Sequence, residues 1–281
     1  YKVVPDRNIS FVNDAVVGSF NQLVIFNGSE YIYQDIRLQK GWNWISFNLD
    51  NESLPDVNAT LSNGTWAGRD IVKNIDYFDS YSADSARWVG ALSKNQGFNN
   101  TSLFMLHSSV NQVLSTSGAL VDVATTPISV KGNKWNFISY LPTANFTVTE
   151  ALAGYNANVG DIVKSQNQFA MFSGSEWIGN LVYMEANKGY MLLRTTPDDV
   201  SFTYPAGSGL LGKLKSASIP SSSYINRDFS ENMSIVAIGK GMEKGDRIQA
   251  YVNGELRGIG ESVVTTDKDQ SFISVAGGLK Y

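Results

Sequence analysis

The amino-acid sequence predicts a mainly all-β chain of tandem sandwich- or barrel-like modules, and three observations carry that prediction. Short aromatic and β-branched runs alternate with clusters of Gly, Asn, Ser and Asp along the chain. Four sequence blocks occur twice, in the same order. Near the end, Asn253-Gly254 lies between two strand-like runs, the strongest two-residue hairpin signal in the sequence.

The blocks define a repeat. Gly41-Trp-Asn-Trp-Ile-Ser-Phe47 returns as Lys134-Trp-Asn-Phe-Ile-Ser-Tyr140, and Gly68-Arg-Asp-Ile-Val-Lys-Asn74 as Val159-Gly-Asp-Ile-Val-Lys-Ser165. Arg87-Trp-Val-Gly-Ala-Leu92 matches Glu176-Trp-Ile-Gly-Asn-Leu181, and Leu103-Phe-Met-Leu-His107 matches Tyr190-Met-Leu-Leu-Arg194. The offset drifts only from 93 to 87 residues. Two homologous tryptophan-rich modules follow, at 36–127 and 128–205.

Each module should hold one short helix. In the second, Thr147-Val-Thr-Glu150 has capping-box spacing and Gly154 supplies a stop. In the first, Ser53-Leu-Pro-Asp56 stands at that place, with Pro55 early in the helix and Gly64 after it. Residues 206–281 read as the front of a sandwich-like module, with strands Met233–Ile238, Arg247–Val252, Glu255–Gly260 and one beginning at Phe272. Residues 1–35 read as the rear of another, with strand material at Ile9–Val12, Leu23–Phe26 and Tyr31–Tyr33. The chain is therefore expected to be one period of an array.

Composition narrows the function. At 281 residues, with 43% hydrophobic and 17% charged residues, the chain is globular rather than disordered. A net charge of −4 argues against nucleic acid as a partner. No apolar run is long enough to insert into a bilayer. Without cysteine there is neither a disulfide nor a thiolate nucleophile, and with the single His107 neither a typical zinc site nor a Ser-His-Asp triad can be assembled. His107 is read as a strand-end surface residue.

No catalytic residue is assigned, and the chain is not expected to be an enzyme. A glycosidase needs two facing carboxylates, whereas the repeat retains only Asp70 and Asp161, one per module, placed as strand-start residues that cap local N–H groups. No cofactor or metal is expected, with calcium at Asp198-Asp199 or Asp267-Lys-Asp269 as a weak alternative. The paired tryptophans Trp42 with Trp135 and Trp88 with Trp177 read as packing residues. Trp66, in the polar Asn63-Gly-Thr-Trp-Ala-Gly68 segment, has no aromatic counterpart and is the candidate ligand-binding residue. Nine Asn-x-Ser/Thr sequences occur, at Asn8, Asn27, Asn51, Asn58, Asn63, Asn99, Asn100, Asn145 and Asn232.

These blocks resemble modules of large secreted surface proteins of the Bacteroidetes. The resemblance rests on Gly41–Phe47, Gly160-Asp-Ile-Val-Lys-Ser165, Trp177-Ile-Gly-Asn-Leu181, Asn187-Lys-Gly-Tyr-Met-Leu192 and Gly245-Asp-Arg-Ile-Gln-Ala-Tyr-Val-Asn-Gly-Glu-Leu-Arg-Gly258. Phe11-Val-Asn-Asp-Ala-Val-Val-Gly18 is similar to the tail of the module that accompanies them. The resemblance implies an extracellular, cell-surface structural or adhesive segment whose partners are neighbouring modules or copies of itself. It also implies an O-glycosylation signal in Asp84-Ser-Ala86, with the sugar on Ser85. The alternative is a carbohydrate-binding module of a larger secreted enzyme, with surface glycans as partners.

Overall fold

Aromatic and β-branched residues alternating along short runs give strands with two usable faces, and here the two repeats use both. The computed structural model describes residues 23–26, 29–206, 227–239, 246–264 and 269–280. The expected strand at Ile9–Val12, the segment Phe11–Gly18 and Asp267 lie outside them. The described chain is mostly antiparallel β-structure with three short helices.

The first repeat contains β1 (Leu23–Phe26), β2 (Ser29–Leu38), β3 (Gly41–Ile45), β4 (Leu49–Asp50), α1 (Val57–Thr60) and β5 (Ile71–Lys73). It continues with β6 (Phe78–Ser82), β7 (Arg87–Gly90), α2 (Leu92–Asn95), β8 (Phe104–Ser108) and β9 (Gln112–Leu120). The second contains β10 (Ile128–Val130), β11 (Lys134–Ile138), β12 (Phe146–Thr147), α3 (Val148–Ala151) and β13 (Ile162–Lys164). It continues with β14 (Phe169–Phe172), β15 (Trp177–Gly179), β16 (Tyr183–Met184), β17 (Tyr190–Arg194) and β18 (Val200–Phe202). A third unit comprises β19 (Phe229–Gly239), β20 (Arg247–Val252), β21 (Glu255–Val264) and β22 (Asp269–Lys280).

The repeats fold alike. One five-stranded sheet runs β3-β8-β5-β6-β7 and the other β11-β17-β13-β14-β15, equivalent strand for strand. The inward face of each sheet packs beneath a second layer. In repeat one, Ile45, Val72, Trp88 and Leu106 meet Ile36, Leu38 and Leu114 of β2 and β9. In repeat two, Ile138, Val163 and Leu192 meet Ile128, Val130 and Phe202 of β10 and β18.

Two expectations about the repeats are corrected first. The boundary at 35/36 falls inside β2, which pairs with β9 from Ile32 to Leu38, so this strand belongs to repeat one. The fourth block is also shifted by one residue. Phe104 pairs with Ile45 as Tyr190 pairs with Ile138, so His107 corresponds to Leu193, and Arg194 to Ser108. The β5 and β13 ladders agree, with Val72 opposite Leu106 and Val163 opposite Leu192. A slip of one would send Met105 and Met191 to opposite faces.

Repeat one also carries a second helix. The buried Asp79 carboxylate accepts the Leu92 and Ser93 N–H groups and thereby nucleates α2. The register puts Ala170 at this place in repeat two, where no such cap exists. The Thr147–Glu150 capping box forms as predicted. In α1, by contrast, the N-cap is Asp56 rather than Ser53, because its carboxylate reaches the Asn58 and Ala59 N–H groups directly.

In the third unit the strand order is β19-β22-β21-β20. Asn253 and Gly254 have φ of 51° and 79°, the two left-handed residues that a type I′ hairpin needs.

Candidate functional site

The outward faces of the two five-stranded sheets meet in a tryptophan seam. Trp42, Trp44, Leu103, Met105 and Met191 are buried there, with Ile71, Trp135 and Phe137 half-buried beside them. Backbone bonds join the sheets reciprocally. Ser46 donates its N–H to the Asn187 carbonyl (3.4 Å), and Ser139 donates to that of Thr101 (3.2 Å). Ser46 matches Ser139 and, in the register above, Thr101 matches Asn187, so the contact has the form of an isologous two-fold interface inside one chain.

The Ser46 hydroxyl reinforces the seam by donating to the Lys188 carbonyl (2.8 Å) and accepting the Tyr140 N–H (3.1 Å). A Cβ at Gly189 would collide with Leu103 and with the Ile45 carbonyl, which explains the glycine in Asn187-Lys-Gly189. The repeated asparagine has its own task. Asn43 accepts the Gln39 N–H and donates to the Gln39 carbonyl, and Asn136 does the same for Lys131. Each carboxamide ties the sheet to the strand before it.

One lysine per repeat lies over the indoles. Lys73 Nζ is 5.6 Å from the Trp42 ring centroid, and Lys164 Nζ is 4.6 Å from that of Trp135. The third unit docks on both. Glu231 pairs with Lys73 at 2.5 Å, and Asn232 accepts from Lys164 through its carbonyl (3.1 Å) and Oδ1 (2.7 Å). Arg227 donates to the Trp42 carbonyl (2.8 Å) and accepts the Trp42 N–H (2.8 Å). Burial pushes the Lys164 ammonium down to about 8, against the opposing pull of Glu231.

Asp70 and Asp161 are fully buried and cap local backbone, as the sequence indicated. Asp70 accepts the Ala67 N–H (2.8 Å) and Asp161 the Asn158 N–H (2.9 Å). Each also accepts a hydroxyl from the residue just past β8 or β17, Ser109 at 2.8 Å or Thr195 at 2.7 Å. Beyond this the two differ. His107 is buried rather than exposed, with Nδ1 3.1 Å from Asp70 and its ring edge-on to Trp42. Its strand faces the seam, and the ring fills the corner between Trp42 and Asp70. In repeat two, Tyr155 donates to Asp161 (2.8 Å) and the buried Arg194 lies 3.9 Å away. Burial raises the Tyr155 hydroxyl above its ordinary range.

The remaining sequence candidates are scattered. Trp66 is half-buried, edge-on to Trp88 at 5.1 Å, and donates its indole N–H to the Leu61 carbonyl (2.7 Å). Ser85 is exposed in the β6–β7 turn, beside Ala86 at φ 50°. The Asp198 carboxylate is held by Arg194 at 2.6 Å and that of Asp199 by Lys131 at 2.7 Å. No group of three His, Cys, Asp or Glu side chains suited to a metal gathers among the described residues. Several sequon asparagines have structural partners: Asn58 bonds both backbone groups of Trp88, Asn145 the Ala186 N–H, and Asn232 the Gln166 carbonyl. Asn8 and Asn27 lie outside the described residues.

Sequence reasoning also missed a cleft of about 320 Å³ at the junction of the repeats, lined by Gln34, Asp35, Asn48, Thr143, Asn187 and Lys188. Asn187, at φ 68°, bridges the repeats across it, donating to the Asp35 carbonyl (3.1 Å) and accepting from Gln34 (2.7 Å). Only the Asn-Lys-Gly turn signalled it. Among the described residues no helix is long and apolar enough to cross a membrane. No protein-family model, curated protein or solved structure matches this chain.

Proposed function

We propose that the chain is a non-enzymatic structural or adhesive repeat segment of a secreted bacterial surface protein, a stiff spacer between neighbouring modules or copies of itself. The observation that supports this reading is the fate of the repeated aromatics. Trp42, Trp44 and Trp88 are buried, and Trp135 and Trp177 are packed against neighbours: Trp42, Trp44 and Trp135 join the repeats at the seam, while Trp88 and Trp177 fill the core of their own repeat. The repeated Asp70 and Asp161 are committed to backbone N–H groups.

Single-molecule stretching of the chain by its ends tests this. A load-bearing spacer releases both fused repeats in one event. Two separate low-force releases would contradict it.

A second reading, a glycan-binding module, draws support from the polar cleft at the repeat junction, whose amides, carboxylate and ammonium suit sugar hydroxyls. Glycan-array binding that Lys188→Ala abolishes and Trp66→Ala leaves intact would favour it and place the ligand in the cleft. Loss with Trp66→Ala alone would put the ligand at Trp66 instead.

A further inference from the structure

The tryptophan seam uses only part of each sheet's outward face, and the remainder is treated differently in the two repeats. Across repeat one the face continues from Trp44 and Met105 to Lys73, then to Phe78 on β6, which pairs with Lys73, and to Val89 on β7. In repeat two the corresponding position is Phe169, which pairs with Lys164. Phe169 is 1% exposed, on the face where Asn232 docks, whereas Phe78 is 57% and Val89 49% exposed, with Ile75 at 50% in the adjoining turn. Met233, two residues beyond Glu231 and therefore on the same side of β19, is exposed as well. An exposed apolar patch of this kind marks an interaction surface.

We propose that the Ile75, Phe78 and Val89 face of repeat one is a homodimer interface, covered by the same face of a second copy of this chain. The patch is continuous with an interface already built, and that interface packs this sheet face against its own homologue about a two-fold axis. The same mode with a second copy closes as a dimer and buries the patch on both sides. Edge-to-edge strand pairing is not the route, because Asn58 occupies the Trp88 N–H and carbonyl on the outer edge of β7. The inference rests on the spacer reading only in taking a copy of the chain as the partner.

The native chain contains no cysteine, so a single introduced thiol reports the contact without disturbing the fold. Under mild oxidation Val89→Cys should form a covalent dimer about tenfold or more faster than Val159→Cys, a control exposed to 69% in repeat two. In sedimentation experiments the wild-type chain should associate reversibly to a dimer, and Phe78→Asp should remain a monomer with an unchanged melting midpoint. Equal cross-linking rates, a wild-type monomer throughout the concentration range, or growth past the dimer would overturn the interface. A monomeric result leaves the spacer reading standing, whereas separate low-force releases on stretching would remove that reading and not this one.

Discussion

Asp70 and Asp161 occupy the same turn of the two repeats, yet their surroundings differ in charge. Both accept a local N–H and a downstream hydroxyl, so those bonds are what the turn requires. Repeat one adds His107, whereas repeat two adds Tyr155 and a buried guanidinium that also grips Asp198. The cation arrives from a different register position: Arg194 stands where repeat one has Ser108. The hydroxyl–carboxylate bond therefore belongs to the repeat, and the cation to one copy of it.

Substitutions sharpen this contrast. Trp42 is almost fully buried, with His107 edge-on to its ring and Arg227 bonded to its backbone, whereas Trp135 is half-buried. Trp42→Ala should cost about 3–5 kcal/mol by denaturant unfolding, and Trp135→Ala roughly half that. Equal costs would mean that the seam is more symmetric than its burial indicates. Asp161→Ala leaves the Tyr155 and Thr195 hydroxyls and the Asn158 and Thr195 N–H groups unpaired and takes one of two carboxylates from the buried Arg194, which keeps Asp198, so it should cost about 3 kcal/mol. Asp70→Ala leaves hydrogen-bond donors unpaired and should cost about 1–3 kcal/mol. Urea midpoints of the two variants rank them.

The lysines give a pH signature. Folded Lys164 loses its proton near 8, below the ordinary lysine value of 10.5 that it regains on unfolding. The burial cost therefore weighs on the folded state below about 8 and lifts as pH rises towards 10.5. Relative to Lys164→Met, the wild type should gain up to about 3 kcal/mol across that window, as read by unfolding at successive pH values. A flat difference would remove the buried ammonium from the account. The helix caps give the smallest effects. Thr147→Ala and Asp56→Ala should each cost about 1 kcal/mol, measured by thermal melts.

Strand positions were legible because alternation and turn chemistry are local. Leu23–Phe26 and Arg247–Val252 match the observed strands residue for residue, and Asn253-Gly254 turns as its dipeptide requires. Register was legible only in part. Setting Leu103–His107 against Tyr190–Arg194 aligns the two basic ends, whereas a shift of one residue pairs Phe104-Met-Leu106 with Tyr190-Met-Leu192, and the partners on β3 and β11 fix that alignment. The second helix of repeat one hangs on Asp79, thirteen residues before the N–H it caps, which no local pattern reports. His107 read as a surface residue because its burial depends on Trp42, far away in sequence. At Trp66 the polar neighbours signalled exposure, but the ring turns inward over Gly64 towards Trp88. The seam needed both repeats in place before it could be seen.

The claim beneath all of this is that the two repeats share one interface and open together. Native-state hydrogen exchange on Trp42→Ala tests it most directly. Trp42 lies in β3, so a shared interface predicts lost protection in β11 and β17 of repeat two as well as in β3 and β8. Protection lost only from β3 and β8, with the Ser139 amide still as slow to exchange as in the wild type, would contradict it.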